Sequence, residues 1–103
     1  MLFRSAIMNA DPTIHDILTR VDLARRALRT GDYRDLRWAI NHLTAFPTIP
    51  AGLMVRLAVH GLAPTEAQTA LEAVREHEEI FTPAEDGVRR ELIDVLTQVA
   101  LGR

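Results

Sequence analysis

Thr82-Pro83-Ala84-Glu85-Asp86-Gly87-Val88-Arg89-Arg90-Glu91-Leu92-Ile93-Asp94-Val95-Leu96-Thr97-Gln98-Val99-Ala100 is the stretch that decides the fold. Val88, Leu92, Val95, Leu96 and Val99 recur three and four positions apart, which lines them up on one side of a backbone that turns about 100° per residue. Ile93 and Ala100 widen that stripe. Thr82 supplies a capping hydroxyl and Glu85 an acid three residues on. Pro83 fits the first helical position, where the N–H it lacks has no partner anyway. The spacing predicts a helix over 83–101, ended by Gly102.

The same punctuation recurs towards the N-terminus. Asp11-Pro12 opens a helix over 12–30, with Asp11 as its cap and Arg25, Arg26 and Arg29 near the end that favours positive charge. Its apolar stripe is Ile14, Ile17, Leu18, Val21, Ala24 and Leu28, with Leu23 on the far side under a second, smaller contact. Thr30-Gly31-Asp32 breaks it from a helix over 33–46 with the stripe Leu36, Ile40 and Leu43 and with Tyr33 at the margin. Pro47, Pro50 and Gly52 lead into a short helix over 50–60 that is apolar on nearly every side, which predicts a central position. The loop before it, from Phe46 to Gly52, is apolar and is expected to pack over the core. His60-Gly61 and Pro64 open the way to a helix over 65–80, with a capping box at Thr65-Glu66-Ala67-Gln68 and the stripe Ala67, Ala70, Leu71 and Val74. The fold class is all-α, a compact single-domain bundle of about five helices with a short central apolar third helix. Residues 1–10 are expected to fray ahead of a domain over 11–103, and Met8 is a candidate start.

Composition narrows the function. The chain has 103 residues, 48% of them hydrophobic and 25% charged, which suits one folded domain rather than a disordered segment. Aromatic residues make up only 5%, so the core must be built from aliphatic side chains. A formal net charge of −2 argues against a generally basic nucleic-acid binder. Every basic residue is Arg, consistent with a GC-rich genome or with selection for planar bidentate contacts. The absence of Cys removes disulfides, thiolate metal sites and a cysteine nucleophile, and fits a cytoplasmic location. No apolar run approaches the roughly 18 residues of a membrane span, so no membrane partner is expected.

Chemistry-bearing patterns are sparse. His15, His42, His60 and His77 sit one per helix, without the paired spacing of zinc or di-iron sites. Ser5, the only serine, lies outside the regular pattern, and no glycine-rich turn follows a strand. Glu78 falls on an apolar stripe and is expected to pair with an Arg such as Arg25. No catalytic, cofactor-binding or metal residues are predicted, and no cofactor.

Two surfaces remain. Trp38 points away from the core stripe of its helix, beside Arg34, Asn41 and His42. Either that helix is sandwiched and buries both faces, or Trp38 anchors a surface for a protein partner or for a homodimer, since Trp and Arg are enriched at interface hot spots. The basic cluster Arg20, Arg25, Arg26, Arg29, Arg34 and Arg37 lies nearby. The acidic run Glu72, Glu76, Glu78, Glu79, Glu85 and Asp86 is its candidate complement in a second copy.

The alternative surface is the stretch Leu57 to Leu71, which resembles the helix-turn-helix of DNA-binding regulators: Leu57, Gly61, Leu62, Ala67 and Ala70 stand where its anchors and turn glycine are needed. A DNA-binding transcriptional regulator would then use residues 53–75, with Arg56, Thr65, Gln68, Thr69 and Arg75 at the nucleic acid. The exposed face of its second helix, Thr65, Glu66, Gln68, Thr69 and Glu72, carries two acids and no base, which is unfavourable next to phosphates. The function expected is therefore a small non-enzymatic protein-interaction module, an adaptor, accessory subunit or regulator.

Overall fold

The computed structural model describes residues 12–102. The expectations for residues 1–10, for Met8 and for Asp11 as a cap lie outside them. Among the described residues, five α-helices make up an all-α domain: α1 (Ile14–Thr30), α2 (Tyr33–Leu43), α3 (Ala51–Val59), α4 (Pro64–Glu76) and α5 (Asp86–Ala100). Single 3-10 turns at Glu78–Ile80 and Pro83–Glu85 join the last two.

Local chemistry sets the ends. The N-cap of α1 is Thr13, whose hydroxyl accepts the Asp16 N–H at 3.1 Å while the Asp16 carboxylate accepts the Thr13 N–H at 3.0 Å. Gly31 ends α1 in the left-handed region at φ 70°. It is also pressed on α4, because a Cβ there would collide with the Thr69 γ-methyl. Asp32 then caps α2 by accepting the Arg34 N–H at 2.8 Å. This helix stops at Leu43 rather than running to 46, since Pro47 disfavours helical geometry at the residue before it.

In α4 the cap is Ala63, not Thr65. Pro64 takes the first helical position and pushes the boundary upstream, and Glu66 reaches back to accept the Ala63 N–H at 2.8 Å. The helix ends at Glu76, short of 80, because the His77 backbone leaves helical geometry at φ −127°.

Helices α1 and α2 form an antiparallel hairpin, α4 and α5 lie along each other, and α3 packs mainly on α5 and α1. Their shared core is aliphatic: Leu28, Ile40, Leu43, Met54, Val55, Val59, Val74, Leu92 and Leu96 are sealed from solvent. All five stripe residues of α5 are buried, as their spacing predicts, and Phe46 and Ile49 of the apolar loop rest against the core.

Two stripes are narrower than predicted. Ile14 and Leu18 are exposed; they share the edge of α1 with Arg25, at helical spacing, beside rather than beneath the core line. In α3, Met54, Val55, Ala58 and Val59 are buried, but Leu53 and Leu57 are about two-fifths exposed. Helices flank α3 without enclosing it, so its apolar character all round does not translate into burial all round.

Arg25 explains the end of α3. Its guanidinium donates to the carbonyls of Ala58 at 2.9 Å and Leu57 at 2.8 Å, in the last turn of the helix, where the Ala58 carbonyl otherwise has a long 3.4 Å bond from the Gly61 N–H. Gly61 is required by that contact and not by its backbone angle: a Cβ there would overlap the Arg25 side chain. Arg25 therefore does not pair with Glu78, which instead bonds Arg89 at 3.2 Å.

Candidate interaction face

The α1–α2 hairpin carries the site. Thr30 and Asp35 are joined at its closed end at 2.8 Å, and Arg20 and His42 towards its open end at 3.0 Å. Asp35 and His42 thus mark the side of α2 that meets α1, and Ala39 between them is fully buried. Trp38 lies farther round, on the outer face, and is 62% exposed. The sandwiched-helix alternative for Trp38 does not describe this structure.

The four residues predicted from sequence do gather on this outer face, but three are engaged within the chain. Arg34 forms a two-pronged ion pair with Asp32 at 3.3 and 3.1 Å and also lies over the Tyr33 ring at 5.9 Å. Asn41 gives its side-chain carbonyl to Arg37, at 3.2 and 2.8 Å. His42 stacks on Trp38, with ring centroids 6.4 Å apart and planes 26° from parallel.

Arginine can only donate, so the contact with Arg20 makes the His42 Nδ1 an acceptor and its ring the neutral Nε2–H tautomer. Partial burial and the Arg20 charge both hold the His42 pKa below the ordinary histidine value. The arrangement is an aromatic step, indole beside imidazole, with the imidazole braced by a guanidinium from the neighbouring helix.

Sequence spacing on α2 alone misses the contribution of α1. The hairpin register brings Leu23, one turn after Arg20, to a level adjoining Trp38, and Leu23 is exposed rather than covered by a second contact. Arg20 and Leu23, with His15, Asp16, Thr19 and Phe46, line an open concavity of about 480 Å³. An off-stripe leucine on the helix before an off-stripe tryptophan is the sequence signal for this shared face. It becomes readable only with the antiparallel register.

Half of the acidic run proposed as a complement is paired with arginine inside the chain. Glu85 pairs with Arg37 at 2.7 Å, and Glu78 and Asp86 both pair with Arg89. One pair, Arg37 with Glu85, thus joins the basic cluster to the acidic run within the chain, and Glu72, Glu76 and Glu79 form no ion pair with an arginine among the described residues.

On the alternative surface, Thr65, Gln68, Thr69 and Arg75 are exposed along α4, and Arg56 is tied to Glu91 of α5 at 3.0 Å. Helices α3 and α4 scarcely touch each other, since both lean on α5. Leu57, the residue that would anchor a helix-turn-helix pair, faces solvent.

Among the described residues no three His, Cys, Asp or Glu side chains group as a metal site, and no helix is long and apolar enough to cross a membrane. Fold and surface together define an all-α domain that presents an aromatic–arginine face. Comparison with protein-family models, with curated proteins and with solved structures finds no match to this chain.

Proposed function

We propose that this protein is a non-enzymatic interaction module of the cytoplasm, an adaptor, accessory subunit or regulator that docks a protein partner on the outer face of the α1–α2 hairpin. The observation that carries the reading is the 62% exposure of Trp38 on a well-packed helix. A tryptophan held in place yet left in water is the type of anchor that dominates binding energy at protein interfaces, because it buries a large rigid area with little loss of side-chain freedom. The braced His42 ring and the shallow relief beside Leu23 support the same reading, since a preorganised surface loses less entropy on association.

The test is affinity purification from the source cell with wild type and Trp38→Ala side by side. The reading requires a partner recovered in stoichiometric amount with wild type and lost with the folded variant. Equal recovery by both rules it out.

A further inference from the structure

Five of the six arginines on α1 and α2 already have a carboxylate. Arg25 and Arg26 share Asp22, Arg29 pairs with Glu66, Arg34 with Asp32 and Arg37 with Glu85. Arg20 is the exception among the described residues: one N–H goes to the neutral His42 ring, and no carboxylate lies within ion-pair distance. It stands exposed between the Trp38–His42 step and the concavity floored by Leu23 and Phe46.

The acids near it on α1 are not available to it: Asp16 is held in the Thr13 cap and Asp22 lies between two arginines. Asp32 and Asp35, at the closed end of the hairpin, take Arg34 and Thr30. An arginine fork matches the two oxygens of a carboxylate, and His42 fixes the Arg20 side chain in place before any ligand arrives.

Resting on the docking reading above, we infer that the face receives an acidic protein segment: an Asp or Glu carboxylate pairs with Arg20, and an aliphatic or aromatic side chain next to it covers Trp38 and enters the concavity at Leu23. A polyanion such as nucleic acid fits poorly, because among the described residues Arg20 is the single open cation on this face and a run of phosphates needs several. A basic segment meets Arg20 and Arg34 with like charge.

The experiment is selection from a displayed random-peptide library with the full chain as bait, followed by affinity measurements on the enriched peptides. The inference requires peptides with Asp or Glu within one turn of an apolar residue. Their binding must depend on Trp38, fall about tenfold or more in Arg20→Gln, and survive in Arg26→Gln; a factor of ten is about 1.4 kcal/mol. Circular dichroism on Arg20→Gln excludes misfolding as the cause. If the peptides need Trp38 but show no acidic bias and bind Arg20→Gln like wild type, the acidic partner is wrong and the docking face stands. If no enriched peptide depends on Trp38, both fall.

Discussion

Arg37 and Glu85 are joined by two parallel hydrogen bonds, 2.8 and 2.7 Å long, across the gap between α2 and the turn that starts α5. Arg37 also donates to the Ile80 carbonyl at 2.8 Å, and Glu85 accepts the Thr82 N–H at 3.0 Å. One ion pair therefore fastens the hairpin to the irregular segment between α4 and α5. The Arg37 guanidinium, helped by the Thr82 N–H, lowers the Glu85 pKa from 4.5 to about 2, against the opposing pull of partial burial.

A carboxylate with a depressed native pKa stabilises the fold above its unfolded pKa, and that stability is lost as pH falls towards the native value. Between pH 4.5 and 2 the wild type should lose about 2 kcal/mol through this group alone. Glu85→Gln should be destabilised by about the same amount at pH 7 and be correspondingly flatter across that acid range. Urea unfolding at both pH values measures the difference, and parallel acid profiles for the two proteins would refute the clamp.

Two glycines predict opposite outcomes. Gly61→Ala forces Arg25 off the carbonyls of Leu57 and Ala58 and should cost about 1–2 kcal/mol, with little further loss when Arg25→Ala is added. Gly87→Ala, in the first turn of α5, meets nothing within 4 Å and should stabilise by about 0.5 kcal/mol. Thermal melts of the three variants check both signs.

Trp38 is the only tryptophan, so its fluorescence reports on this face alone. Protonating the stacked His42 should quench it as pH falls, with a midpoint below the ordinary value of 6.5 because burial and Arg20 disfavour the imidazolium. Arg20→Gln should move the midpoint up. A titration with no transition, or one unmoved by Arg20→Gln, would contradict the braced ring.

Exposure and burial should separate cleanly by substitution. Trp38→Ala removes little packing and should change stability by no more than about 0.5 kcal/mol. Leu92→Ala, at a sealed core position, should cost about 2–5 kcal/mol. Chemical denaturation decides between them.

Much of the architecture was legible because proline, glycine and capping residues mark helix ends locally. The α5 stripe matched its burial residue for residue, and the outward position of Trp38 followed from its angle to Leu36, Ile40 and Leu43. What remained hidden depends on tertiary placement. Leu53 and Leu57 look like core until the packing of α3 leaves one side open, and Ile14 and Leu18 look like core until their edge of α1 is seen to lie beside the core line. Arg20 and Leu23 belong to the candidate face only through the hairpin register, and the pairing of Glu85 with Arg37 joins residues that no local pattern connects.

The most direct measurement is the emission of Trp38 in a purified stoichiometric complex with the partner recovered from the source cell. Docking on this face predicts a blue-shifted spectrum and strong protection from acrylamide quenching relative to the free protein. A complex in which the indole stays as red-shifted and as quenchable as it is alone would contradict the account.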